Sequence, residues 1–211
     1  MEIEETTMST AVGVARIGPD SAGIVMSPEE FDAIEDHDED YRYELIRGVL
    51  VVTPIPLEEE AHPNETLGGL LFLYKEQHPL GSALDLTLAE RYVYLRDGRR
   101  RPDRVIWAGL GHFPDTKVDA PSIAVEFVSA GKHNWNRDYV LKRAEYLDLG
   151  IAEYWIVDRF SRTMTVHRNL HDGPVQIVVR EGEVYRTPLL PGFELPLSRL
   201  LQASDECHNL A

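Results

Sequence analysis

Three carboxylates and one lysine stand where their side-chain types could do chemistry. Asp103 directly follows a proline at the head of an apolar run, in RRRPDRVIW. Glu126 lies inside the continuous apolar stretch of PSIAVEFVS, and Glu44 follows two aromatics in YRYELI. Taking an ionised carboxylate out of water is costly unless it is paired, protonated or bound to a cation. Two carboxylates that converge repel, so the pair is stable only with a proton or a cation between them. Mg²⁺, a hard cation that takes oxygen ligands, suits one or two carboxylates plus a substrate phosphate. Two of these acids also have a plainer reading, Asp103 as the cap of a turn and Glu126 as the partner of an arginine.

The lysine belongs to NWNRDYVLKRAEYLDLG. There Trp135, Tyr139, Lys142 and Tyr146 share one helix face, and Asp138 lies four residues before Lys142 at its edge. That puts an ammonium among aromatics with a carboxylate in reach. The plainer reading is a lysine laying its stem across apolar surface with its head in water.

The elements that must position these groups can be read from periodicity. Ser27, Pro28, Glu29 and Glu30 start a short helix with a serine cap, a proline and two acids. Two strands around Arg47-Gly48 predict a β-hairpin, ended by Pro54 and Pro56. Leu67, Leu70, Leu71 and Tyr74 predict a helix over roughly 62 to 78. Strands are expected at about 84 to 88, 91 to 95, 103 to 108 and 122 to 128, then a helix at 134 to 149 with Gly150 placed to end it. Strands at about 154 to 157, 164 to 167 and 175 to 179, a terminal strand and a short helix at 197 to 201 follow. The helix joining two buried strands reads as a right-handed crossover, so the order is mixed α/β. Residues 1 to 24 lack periodicity and are expected to be disordered. One domain should fill 25 to 202, with 203 to 211 a flexible tail.

Composition limits the function classes. The chain has 211 residues and a net charge of −15. Residues 1 to 60 hold 16 acids against 3 bases, so the rest is nearly neutral. A negative field opposes tight non-specific DNA binding, yet leaves the neutral body open to a nucleic-acid substrate. The single Cys207 excludes an internal disulfide and a cysteine-rich zinc site, and it fits a reducing cytoplasm. No run is long and apolar enough for a membrane span.

Taken together, YELIRG, the Pro102-Asp103 pair, VEFVS, the Asp138/Lys142/Tyr146 spacing and EYWIVD resemble the Uma2 family. Those are restriction-endonuclease-like proteins of the PD-(D/E)xK superfamily, and the likeness covers about residues 26 to 200. The resemblance implies a mixed β-sheet core flanked by helices, here with an N-terminal β-hairpin extension. It makes Asp103 the acid of the PD element and Glu126 the acid of (D/E)xK, with Glu44 an additional metal ligand. The lysine position two residues beyond Glu126 holds Val128, and the resemblance nominates Lys142 in its place.

The function so implied is a Mg²⁺-dependent endonuclease, with Mn²⁺ a second option, that hydrolyses DNA phosphodiester bonds; a nuclease that must cut two strands is expected to be a C₂ homodimer. Arg101 and Arg104, with Arg99 and Arg100, flank Asp103 as candidate phosphate contacts or as a solvated rim. His62 resembles a family histidine near the site, and Tyr146 joins the candidate nucleic-acid contacts. A non-catalytic nuclease-fold module that binds nucleic acid or protein is the alternative, favoured by Val128 and the negative charge. A glycosidase is disfavoured, because a lysine beside the acids fits phosphate better than sugar.

Overall fold

The structure is a computed structural model that describes residues 16–129 and 135–208, with side chains for 16–129 and 139–207. After helix α1 (Pro28–Asp32), strands β1 (Tyr41–Ile46) and β2 (Val49–Pro54) form the expected hairpin. Its two-residue turn, Arg47-Gly48, has both residues at positive φ, 50° and 77°. That is the twist-matched turn of a tight hairpin. Helix α2 (Glu58–Gln77) leads to β3 (Leu84–Ala89), β4 (Val93–Leu95), β5 (Gly98–Arg100), β6 (Arg104–Ala108) and β7 (Ile123–Phe127). Then come α3 (Trp135–Asp148), β8 (Glu153–Asp158), β9 (Thr163–Arg168), β10 (Val175–Arg180), β11 (Val184–Tyr185), β12 (Leu195–Pro196) and α4 (Leu197–His208).

The main sheet has the order β10-β9-β8-β7-β6-β3, antiparallel except for the β7–β8 pair that α3 connects. A second sheet, β2-β1-β5-β4, packs beside it. Strand alternation sorts the main sheet's side chains into two cores. Ile106, Ile123, Val125, Phe127, Trp155 and Val157 face α2 and α4, whereas Val105, Trp107, Ala124, Tyr154 and Ile156 face α3. A third core under the small sheet gathers Ile17, Met26, Phe31, Tyr43, Leu45 and Leu50.

Both chain ends depart from expectation. Residues 16 to 24, expected to be disordered, are ordered because Ile17 is buried in the third core and its backbone pairs with Asp36 and Asp38. The part of that expectation on residues 1 to 15 lies outside the described residues. At the other end α4 continues to His208 instead of stopping at 201, so residues 203 to 208 are helix rather than flexible tail, and the part of that expectation on 209 to 211 lies outside the described residues. Pro63, inside α2, explains the contact that holds them. A proline has no N–H for the carbonyl four residues earlier. The Ser204 hydroxyl donates to that Glu59 carbonyl at 3.0 Å instead.

Gly68 of α2 sits where the helix meets the sheet. A Cβ there would lie 2.7 Å from Arg104 Nη2 and 2.9 Å from Cζ, whereas one at Gly69 would meet nothing within 4 Å. Asn64 holds the Arg104 guanidinium, by Oδ1 at 2.7 Å and its carbonyl at 3.0 Å, so the arginine cannot yield freely. Gly68→Ala is therefore expected to cost about 1–3 kcal/mol by overpacking. Gly69→Ala should add roughly 0.5–1 kcal/mol from helix propensity. Urea melts of the two variants check this, and equal shifts would refute the close approach.

Candidate active site

Asp103 and Glu126 meet through register. Arg104 pairs with Val125 and Val105 with Ala124 across β6 and β7. One step further along the same antiparallel register, Asp103 lies opposite Glu126. Both point to the α3 face, and like charges directly opposite on one face are destabilising. The structure compensates them separately. The Lys142 ammonium donates to Glu126 Oε1 at 2.7 Å, and Arg42 Nη1 to Asp103 Oδ1 at 2.8 Å. The Phe127 N–H donates to Asp103 Oδ2 at 2.6 Å. Glu126 is thus ion-paired, with a lysine rather than an arginine, and Asp103 caps no turn.

Glu44 comes from the small sheet, where Arg42, Glu44 and Ile46 turn towards the main sheet and Tyr43 and Leu45 turn away. Its Oε1 accepts the Arg101 N–H at 2.8 Å and lies 3.8 Å from Lys142 Nζ. Arg100 Nη1 lies 3.8 Å from Glu44 Oε2, while Arg100 Nε donates to Glu145 of α3 at 2.6 Å. Glu44, Arg100, Arg101 and Lys142 line one cavity of about 400 Å³ with Asp103 and Glu126, between the two sheets and α3. Its walls carry three acids, Glu44, Asp103 and Glu126, and four bases, Arg42, Arg100, Arg101 and Lys142. In a chain of net charge −15 this cavity is locally suited to an anion.

Burial pushes the Glu126 carboxyl up to about 7, helped by the Asp103 and Glu44 charges and opposed by Lys142. Burial alone would lower the Lys142 ammonium, but Glu126 and Glu44 outweigh it and hold it above its ordinary value. The folded protein thus holds a proton on Glu126 more tightly than the unfolded chain, whose value is near 4.5. Its contribution to stability is complete below about pH 4.5 and is lost as pH rises through about 7. Glutamine imitates the protonated acid. The metal-free Glu126→Gln protein should therefore lose less stability than the parent between pH 4.5 and 8 in urea melts. Parallel profiles would place Glu126 near its ordinary value.

The other sequence candidates separate. Arg101 lines the cavity, its guanidinium 5.7 Å from the Tyr92 ring centroid. Arg104 does not, because it neighbours Asp103 on a strand and so points to the opposite face, into α2. Tyr146 is 0% exposed and packed against Tyr154, so it cannot touch a nucleic acid. His62 is on the far side of α2, where its Nδ1–H donates to the Ala203 carbonyl at 3.0 Å. Arg99 is paired with Asp32 under the small sheet. Val128 is buried in the aromatic core with Tyr139 and Tyr146. The side chains of Trp135 and Asp138 lie outside the described ones. Sequence reasoning missed Arg42, although its place two residues before Glu44 puts both on one strand face.

The donor set suits a hard cation. Among the described residues no three acid or imidazole side chains gather closely enough to hold an ion unaided. Asp103 and Glu126 provide a repelling pair, however, and Mg²⁺ needs only one or two carboxylates with a substrate phosphate.

The mixed sheet flanked by helices carries the acids at adjacent strand ends and the lysine on the crossover helix. The crystal structure of a putative nuclease belonging to DUF820 from Anabaena variabilis shares the fold, with a TM-score of 0.67. It is 16% identical, and the likeness covers 85% of this chain and 99% of that one. The family model "Uma2: Putative restriction endonuclease" matches residues 28–198. The chain belongs to the Uma2 family. No curated protein matches it.

Proposed function

We propose that the protein is a divalent-metal-dependent endonuclease that hydrolyses DNA phosphodiester bonds in the cavity between its two sheets. The observation that carries this reading is the juxtaposition of Asp103, Glu126 and Lys142. Two directly opposed acids would be a liability in a structural core, and here they open onto a cavity rich in guanidinium groups. Asp103 and Glu126 would hold Mg²⁺ or Mn²⁺, with Glu44 beside Lys142 as an additional acid. A bound divalent ion supplies a Lewis acid for the phosphoryl oxygen and lowers the pKa of its water.

The chain's own groups do the rest. The Lys142 ammonium reaches the Glu126 carboxylate from α3 and takes the role that Val128 cannot. There it would orient the attacking water or stabilise charge growing on the phosphoryl group. Arg101 would hold the flanking phosphate by charge-assisted hydrogen bonds. A C₂ homodimer would cut both strands of a duplex. The lone Cys207 suits a reducing cytoplasm, and no described helix is long and apolar enough to cross a membrane.

Metal binding tests the reading against its rival, a nuclease-fold module without chemistry, which the ion pairs on both acids favour. Melts with Mg²⁺ or Mn²⁺ at about 100 times the dissociation constant should gain about 2.7 kcal/mol of stability. A protein indifferent to both ions would favour the binding module.

A further inference from the structure

Glu90 follows β3 and has the backbone of a left-handed turn, φ 51°. A turn alone would favour glycine or asparagine there, and a longer side chain persists when its surroundings require it. Its contacts lead to Asp103 and to Arg101. The Glu90 N–H donates to the Asp103 carbonyl at 2.9 Å. Glu90 Oε1 accepts from Arg42 Nη2 at 2.5 Å, and the other end of the same guanidinium donates to Asp103 Oδ1 at 2.8 Å. Arg101 Nη2 lies 3.0 Å from Glu90 Oε2, and Arg101 Nε donates to the Glu90 carbonyl at 3.1 Å. Glu90 thus grips Asp103 at its backbone directly and at its carboxylate through Arg42. It also holds Arg101 at the cavity rim.

We propose that Glu90 is a positioning residue of the site, which fixes the Asp103 carboxylate for a divalent cation by sharing the Arg42 guanidinium with it. A planar guanidinium tethered at both ends cannot swing to take both Asp103 oxygens, so it orients that carboxylate without fully neutralising it. Acids that support a metal ligand in this way typically change metal affinity by about 10–100-fold when altered. The inference rests on the metal-dependent reading above, and the experiment separates the two.

Mn²⁺ is titrated calorimetrically into the parent, Glu90→Gln, Arg42→Lys and the double variant, with a metal-free melt of each. Glu90→Gln and Arg42→Lys should each raise the Mn²⁺ dissociation constant about 10–100-fold. The double variant should lose no more than the worse single one, because both act through one guanidinium. Glu90→Gly, which relaxes the left-handed backbone and removes the carboxylate, should lose the same affinity even if the glutamine variant folds poorly. A parent that binds Mn²⁺ beside glutamine and glycine variants that bind it equally well overturns the role of Glu90 alone. Additive losses in the double variant overturn its action through Arg42. A parent that binds no Mn²⁺ removes the metal reading and this inference with it.

Discussion

Replacing Lys142 by methionine should reduce DNA cleavage by about 10²-fold or more, the scale of a lost electrostatic or acid/base group. Methionine keeps the apolar stem that packs near Tyr139 and Tyr146 and removes the ammonium. Stability should change too, because Lys142 is buried rather than reaching into water. Its head lies 2.7 Å from Glu126 and 3.8 Å from Glu44. Stranding a buried carboxylate costs about 3–5 kcal/mol, but Glu126 can escape much of this by taking a proton. The loss should therefore be about 3 kcal/mol at pH 8 and much smaller at pH 5, where the acid is neutral in either protein. Cleavage per folded molecule equal to the parent's would reduce Lys142 to a counter-ion.

The largest effect on the fold alone is expected at Glu153. It is 0% exposed at the start of β8 and is fully engaged. Its Oε1 accepts from Arg168 Nε at 2.7 Å, and its Oε2 from Trp155 Nε1 at 2.8 Å and the Tyr185 hydroxyl at 2.9 Å. Glu153→Ala leaves three donors without their acceptor and should cost about 3–5 kcal/mol in urea unfolding. Metal affinity of the folded fraction should be unchanged, since Glu153 faces the α2 core and Glu126 the α3 side. A loss below about 1 kcal/mol would mean that the donors find new partners. Two buried glutamates thus differ in kind: Glu153 is satisfied by three donors, whereas among the described residues Glu126 is paired with Lys142 beside repelling acids.

Much of this arrangement was legible in the sequence. The apolar run around Glu126 and the proline before Asp103 placed both acids on adjacent strands, and the helical spacing placed Lys142 on the face that covers them. Alternation along a strand also separates Asp103 from Arg104, and reading it strictly would have removed Arg104 from the phosphate contacts. Tyr146 follows the same logic, since the inward face of a crossover helix is core before it is anything else. The ion partners were not legible. Arg42 reaches Asp103 across 61 residues and Arg100 reaches Glu145 across 45, distances over which no local pattern carries information. Glu90 is hidden for another reason, because nothing in a sequence marks a glutamate as left-handed. The helix ends were missed where a partner supplied what the local sequence lacked, as Ser204 does for the carbonyl that Pro63 leaves open.

On the proposal above, Asp103, Glu126 and Lys142 form a metal-dependent phosphodiesterase site. Its most direct test is cleavage of supercoiled plasmid, single-stranded and branched DNA by the purified protein with Mg²⁺ or Mn²⁺, against EDTA and against Asp103→Asn. Nicked or linear product is expected from at least one substrate, present only with metal and absent from the asparagine variant. Metal-bound protein that leaves all three substrates intact, or cleavage that survives Asp103→Asn, would contradict it.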